Sequence, residues 1–293
     1  LANGKMGFNI TSISPIDNGS APEGPVGATI TVVGKYGVLV VNRFTGAYTY
    51  TLTQTDEDTQ SLSVRDTDVE ERFDYTVFDG NSADANAGAR SATTRLTIKI
   101  NGANDTPLSA FIASPAGIVE IANASAQDIA AIQGTLPVSD VDRGDTLTGS
   151  INGAPTVNWS GGDLTAALGE AGNAALTAAM VTGRLTFDST VVSPGASTAN
   201  PTGSTNLNWT YNPAATNLDF LALNERLEIG FDLRATDQSG ETTVARNVTF
   251  VVTGTNDAPT VSASQDGAVA EDVAVVALKL ESAGTITFDD VDL

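Results

Sequence analysis

Closely spaced acidic residues are the side chains of this sequence best suited to do chemistry. Asp140 and Asp142 are separated by one residue, and Asn104 and Asp105 are adjacent. Alternate residues of a β-strand share one face, so the carboxylates of Asp140 and Asp142 can reach the same ion. Carboxylates, Asn side chains and backbone carbonyls are the oxygen ligands of Ca²⁺, which takes about six to eight of them. This pattern therefore favours binding of a hard cation.

The composition limits which other kinds of chemistry the chain could carry out. The 293 residues include 35 acidic and 14 basic side chains, with a net charge of −21 and no Cys or His. Thiol nucleophiles, imidazole bases, disulfides and the usual zinc and haem ligands are therefore missing. The remaining enzyme alternative is a carboxylate pair of the glycosidase type, and no catalytic motif supports it. We predict that the chain is not an enzyme.

Two sequence motifs recur in the same order, about 150 residues apart, as in tandem repeats. The segment GANDTP at 102–107 returns as GTNDAP at 254–259. The segment GTLPVSDVD at 134–142 returns as GTITFDDVD at 284–292, and one Glu lies between the two motifs in each copy, Glu120 and Glu271. The chain is therefore predicted to be part of a tandem array.

Each copy brings acidic and Asn residues to an expected junction between domains. For the first junction we predict Glu71, Asp79, Asn104, Asp105, Glu120, Asp140 and Asp142 as metal ligands. For the second we predict Glu225, Asp237, Asn256, Asp257, Glu271, Asp290 and Asp292. The alternative is that these residues form turns, since Asp and Asn side chains bond the nearby backbone. We interpret Asp145 as such a turn residue, and we expect Ca²⁺ as the cofactor at the junctions.

The elements that must position these residues are β-strands. Residues 93–100 alternate between polar and apolar, residues 248–253 form a β-branched run, and further strands are predicted over 28–33 and 39–41. Residues 163–180 are rich in Ala and Leu, with Asp163 as the N-cap, and predict one helix or two short helical turns broken by Gly. The fold class is all-β, with tandem Ig/cadherin-like antiparallel β-sandwich domains and a short helical insertion in the second.

The repeat spacing predicts three segments. Residues 1–105 form a first β-sandwich repeat that lacks its opening strand, and residues 106–258 form a second, enlarged repeat with an insertion at about 152–206. Residues 259–293 supply the N-terminal strands of a third, incomplete repeat, and whether they are ordered or pair with another molecule is left open. Residue 1 begins no signal peptide, so we expect an internal part of a longer chain.

The motif GTNDAP at the end of a strand, followed by Glu and then Asp-Val-Asp, resembles the VCBS and cadherin-like (bacterial Ig-like) repeats of large type-I-secreted RTX-type adhesins. Residues 37–50 and 73–80 resemble the middle and later strands of that repeat, and the resemblance is weak over 152–206. It implies strings of sandwiches at the bacterial cell surface or outside the cell, calcium at the linkers, and a role in cell adhesion or biofilm attachment. The helical insertion departs from the family pattern.

The expected partners follow from charge and from the resemblance. Neighbouring repeats of the same chain are expected partners, and a host-surface glycan or protein is left open. Nucleic acid and anionic membranes are repelled by the acidic surface, and no stretch of about 18 apolar residues predicts membrane insertion. The alternative function is a ligand-binding module within the adhesin, for carbohydrate or protein, with Trp159, Trp209 and Tyr211 as stacking residues if exposed.

Overall fold

The computed structural model describes residues 9–15, 28–78, 91–261, 267–271, 279 and 281–292. Within these ranges the chain is built of β-strands and two helices, and nearly all the strand pairs are antiparallel. The strands group into separate sheets before residue 101, between 108 and 253, and after 259. The predicted all-β fold class is confirmed, and the domain boundaries at 105 and 258 stay predictions.

The first sandwich has two three-stranded sheets, β1-β5-β6 and β2-β3-β4. Its elements are β1 (Asn9–Pro15), β2 (Thr29–Val33), β3 (Gly37–Asn42), β4 (Tyr48–Leu52), the short helix α1 (Glu57–Gln60), β5 (Val69–Phe78) and β6 (Ser91–Ile100). Buried side chains alternate along the strands, as in Ile30 and Val32 of β2, and meet Leu39 and Phe73 in one core. The period of two in the sequence therefore places one face of each sheet inside.

In the second sandwich, a larger sheet packs against the four-stranded sheet β12-β14-β9-β7. The larger sheet has the order β13-β10-β15-β16-β8, and β11 also pairs with β15. Its strands are β7 (Leu108–Ser109), β8 (Ile118–Val119), β9 (Ile132–Ser139), β10 (Thr146–Ile151), β11 (Thr156–Trp159), β12 (Leu185–Phe187), β13 (Val191–Val192), β14 (Ser204–Tyr211), β15 (Arg226–Thr236) and β16 (Arg246–Thr253). Aromatic side chains fill the core between the sheets, and the rings of Tyr211 and Phe250 stack at 3.9 Å.

The predicted helical insertion is α2 (Leu164–Met180). The Asp163 carboxylate caps it by accepting the Thr165 and Ala166 N–H groups at 2.7 and 3.0 Å. Gly169 interrupts the helix with a φ of 75°, and Leu176 and Met180 pack into the core of the second sandwich. The helix is therefore held against its own domain. Among the described residues, no helix is long and apolar enough to cross a membrane.

Strand direction decides which end of the second sandwich each acidic residue reaches. β8 pairs with β16 in parallel, with Val119 opposite Thr253, so residue 120 lies beside the segment that follows β16. β15 runs antiparallel to β16, so its end at Thr236 lies at the opposite pole. Beyond β16, the described strands β17 (Thr260–Val261) and β18 (Phe288–Asp289) form a small antiparallel ladder.

Candidate cation sites at the two junctions

Three buried carboxylates meet beside the linker at 101–107. The side chains of Asp140, Asp145 and Asp237 each offer an oxygen within 4.8 Å of the other two. β9 ends just before Asp140, β10 begins just after Asp145, and β15 ends just before Asp237. Three strand ends therefore bring their acids to one pole of the second sandwich, and we call this set, with Asn104, Asp105 and Asp142, the first junction cluster.

The linker is bonded directly to this cluster. The Asp105 N–H donates to Asp142 Oδ2 at 2.8 Å, and the Asp142 N–H donates to Asp140 Oδ1 at 3.0 Å. Asn104 Nδ2 donates to Asp237 Oδ2 at 2.9 Å. The Asn-Asp pair and the Asp-x-Asp pair thus meet as the sequence predicts.

The other pole carries the second junction cluster, formed by Glu120, Asp219, Asn256, Asp257, Asp290 and Asp292. Oxygens of Glu120, Asp219 and Asp257 lie within 4.8 Å of one another, and all three side chains are buried. The Asp257 N–H donates to Asp292 Oδ2 at 3.1 Å, and the Asp292 N–H donates to Asp290 Oδ1 at 3.2 Å. Both junctions therefore repeat the same pair of backbone-to-carboxylate bonds.

Within the described part of the chain, both clusters contain buried oxygen atoms without a hydrogen-bond partner. In the first cluster these are Asn104 Oδ1, Asp140 Oδ2, Asp142 Oδ1 and Asp145 Oδ2, and in the second they are Asp219 Oδ1, Asp257 Oδ2 and Asp292 Oδ1. Each buried acceptor left unpaired costs about 1–3 kcal/mol, and more when it is charged. The donor set consists of oxygen only and is rich in carboxylates, which fits Ca²⁺ and not a metal that needs nitrogen or sulfur ligands.

Burial makes the charged form of these acids unfavourable in the absence of a cation. The pKa of Asp142 is raised to about 7, chiefly by burial and also by the neighbouring carboxylates Asp140, Asp105 and Asp145, while the hydrogen bond from the Asp105 N–H lowers it. Burial likewise raises the pKa of Asp140 to about 6 and that of Glu120 to about 7. A bound cation would stabilise the ionised forms.

Two predicted ligands lie at the opposite junction from the one expected. Glu120 was expected beside Asp140 but contacts the second linker, where its Oε2 accepts the Thr255 N–H at 3.1 Å. Asp237 was expected at the second junction but belongs to the first. The physical reason is strand direction, since the parallel β8–β16 pair carries Glu120 to one pole and β15 ends at the other.

Two other predicted ligands are committed to bonds inside their own sandwich. Glu71 is buried in the first sandwich and accepts the N–H of Lys35, the N–H of Tyr36 at 3.2 Å and the hydroxyl of Tyr50. Glu225 accepts the Trp159 indole N–H at 2.9 Å and the Ala222 N–H at 3.2 Å. Both are corrected to structural acceptors. Glu271 is an exposed turn residue outside both clusters, and Asp79 lies outside the described residues.

Two members of the clusters, Asp145 and Asp219, were not among the ligands predicted from the sequence. Asp145 was interpreted as a turn residue, yet it is buried with Asp140 and Asp237. Gly144, with a φ of 80°, turns the chain so that Asp145 rejoins Asp140, and the spacing of acids in DVDRGD was the available signal. Asp219 lies in the loop between β14 and β15, where neither repeat motif marks it.

No family model matches this chain, and no curated protein matches it either. Among solved structures, the chain is similar to the crystal structure of collagen adhesin (CNA) from S. aureus, with 9% sequence identity, 87% of this chain and 79% of that chain covered, and a TM-score of 0.15. A score this low carries no argument about fold or function, so the all-β assignment stands on the sheets described above.

Proposed function

We propose that this chain consists of non-catalytic, calcium-stiffened extender repeats of a large bacterial cell-surface or secreted adhesin. The observation that carries the proposal is the set of buried, unpartnered carboxylate oxygens that recurs at both linkers. Acids packed this way repel one another and are expected to splay the linker, whereas a divalent cation would bind them together. Calcium would thus set the stiffness of the chain.

At the first junction, Ca²⁺ would be held by Asp140, Asp142, Asp145 and Asp237 with Asn104 Oδ1. At the second, it would be held by Glu120, Asp219, Asp257 and Asp292. Bound calcium would supply positive charge that neutralises the carboxylates of each cluster. The chain's own residues do the orienting, since the linker N–H groups of Asp105 and Asp257 hold one carboxylate of each cluster in place.

Stiffness would follow because each cluster combines groups from the linker with groups from strand ends. Asn104 and Asp105 belong to the first linker, whereas Asp140 and Asp237 follow β9 and β15. An ion bound by both sets would restrict rotation about the linker, which otherwise keeps its backbone freedom. The linked repeats would then keep an extended arrangement, as an extender requires.

The adhesin context and the extracellular or cell-surface location rest on the resemblance of the repeat motifs to VCBS and cadherin-like repeats. Neighbouring repeats of the same chain are the proposed partners, and cell adhesion or biofilm attachment is the proposed role. Millimolar calcium outside cells would occupy even weak sites, because extracellular calcium modules bind with dissociation constants of about 10⁻⁴–10⁻³ M.

Calorimetric titration of metal-stripped protein with CaCl₂, paired with X-ray scattering, tests the proposal. We expect saturable heat, a higher melting temperature and a narrower distribution of scattering dimensions with calcium. The variant Asp142→Asn combined with Asp257→Asn should lose most of the heat, and the exposed Asp232→Asn serves as the matched control. Absence of heat together with unchanged melting and scattering would refute calcium stiffening.

The alternative, a ligand-binding module, is supported by one groove. Trp159, Asp163 and Asn173 are among the residues that line a groove of about 470 Å³ between β11 and α2. Trp209 and Tyr211 are fully buried core residues, so they are excluded as stacking surfaces. Screening against a glycan array, with Trp159→Ala as the comparison, tests this alternative, and binding that is lost in the variant would favour it.

A further inference from the structure

The chain forms a turn with the same hydrogen bonds before each linker. In segments 63–66 and 222–225, the N–H of the fourth residue donates to the carbonyl of the first, at 2.9 Å in both. The carbonyl of the fourth residue then accepts the N–H of Gly102 in one sandwich and of Gly254 in the other, at 2.8 Å in both. The two turns therefore occupy equivalent places in the hydrogen-bond pattern, although their backbones differ at the third residue, where Asn224 has a φ of 67° and Arg65 has no positive φ.

The third position of these turns differs in charge. It is Arg65 in the first sandwich and Asn224 in the second. Arg65 Nη2 lies 2.5 Å from Asp145 Oδ1, and Nη1 donates to the Gln238 side chain. The guanidinium of the first sandwich therefore contacts two residues at the pole of the second sandwich, one of them a member of the first junction cluster.

The ion pair is supported by a backbone contact. The Arg143 N–H donates to the Ser61 carbonyl at 3.1 Å, so the loop that carries Asp145 touches the segment that carries Arg65. The side chain of Asp145 is 1% exposed and that of Arg65 is 42% exposed, which places the carboxylate beneath the guanidinium. Burial raises the pKa of the Asp145 carboxyl, and the Arg65 charge opposes that rise.

The second junction has a different charge balance. Among the described residues, the charged groups that act on Glu120 and Asp219 are themselves carboxylates, including Asp257 and Asp292. The N–H of Leu221 donates to the Leu218 carbonyl just as that of Leu62 donates to the Thr59 carbonyl, so Asp219 is equivalent to Gln60. At one of these positions the first sandwich has the neutral Gln60 and the second has the carboxylate Asp219. At the other, the first has the guanidinium of Arg65 and the second has the neutral Asn224.

We infer that Arg65 is a built-in counter-ion of the first junction, which keeps that junction docked without calcium while the second depends on calcium. The inference rests on the proposed calcium binding and assigns the two junctions different regulation. The positive charge of Arg65, held beside Asp145, neutralises part of the negative charge of the cluster and also repels a divalent cation. The first junction then stays docked when calcium is absent and needs more calcium to fill its site, whereas the second docks only as calcium rises.

Hydrogen–deuterium exchange of metal-stripped and calcium-loaded protein separates the junctions. In stripped wild type, we expect segment 139–145 to stay protected and segment 254–258 to lose protection. Arg65→Gln should speed exchange of 139–145 in the stripped protein about tenfold and raise calcium affinity at the first junction about tenfold, since a guanidinium close to the site is removed. Arg65→Lys should retain most of the protection.

Arg226→Gln is the matched control, because Arg226 forms an exposed ion pair with Glu228 at 3.3 Å. Loss of protection at 139–145 in stripped wild type, or no effect of Arg65→Gln on either readout, would overturn the role of Arg65. If wild type also binds calcium, such a result leaves the proposed function intact. If the wild type gives no heat on titration with calcium, the proposed function fails. Hydrogen–deuterium exchange of the stripped protein then still tests the role of Arg65 independently.

Discussion

Replacing Asp140 with Asn removes one negative charge from the first junction cluster while keeping the shape of the side chain. The retained Oδ1 can still accept the Asp142 N–H, and the new amide takes the place of the unpartnered Oδ2. Two other acids of the cluster, Asp145 and Asp237, each have a carboxylate oxygen within 4.8 Å of one of Asp140. The substitution is therefore expected to relieve repulsion in the stripped protein and to remove one of the proposed ligands when calcium is present, with opposite effects on stability.

The magnitude follows from Coulomb's law. Two unit charges 4.8 Å apart repel by about 3.5 kcal/mol at an effective dielectric constant of about 20. Arg65 already neutralises part of the Asp145 charge, so we expect Asp140→Asn to stabilise the stripped protein by about 1–3 kcal/mol. For a domain of about 150 residues, each kcal/mol corresponds to about 2–4 °C in melting temperature.

The assay is thermal unfolding at pH 8, measured on metal-stripped and calcium-saturated protein in parallel. We expect the variant to melt higher than wild type without calcium and lower with it. Asp232→Asn is the control, because this acid is exposed on β15 away from both clusters and should shift neither melting point. A shift of the same sign in both conditions, or no shift in either, would refute the account of the cluster given above.

Two further predictions concern the second junction and the acidic clusters together. Stripped protein should melt at a higher temperature at pH 5 than at pH 8, because the pKa of Glu120 and that of Asp142 are raised to about 7 and the stability that their protonated forms give is lost as pH rises through that value. Calcium should reverse this trend. A melting temperature of the stripped protein that rises with pH would contradict the prediction. Gly254→Ala should cost about 1–3 kcal/mol in urea unfolding, because its Cβ would meet the Leu221 and Ala222 carbonyls. Unchanged stability would contradict that packing.

Much of the fold could be predicted from local sequence patterns. Alternating residues in 93–100 mark β6, and Asp163 marks the start of α2 because a side-chain acceptor there satisfies free N–H groups of the first turn. The contact between Asp140 and Asp142 is local as well, since only one residue separates them. The Asn-Asp and Asp-x-Asp motifs also meet at each linker, as their repetition in the same order suggested.

The sequence by itself determined the strand pattern, the repeat, the acidic character of the linkers and the all-oxygen chemistry of the candidate ligands. Only the tertiary structure decided which acids share a cluster, because that depends on strand direction and on loops that meet across the sandwich. The parallel pairing of β8 with β16 moved Glu120 to the second junction, and the end of β15 took Asp237 to the first. Packing gave Glu71 and Glu225 other partners and placed Arg65 over Asp145. The contact between Arg65 and Asp145 could not be predicted, because no short-range sequence pattern links residues 80 positions apart.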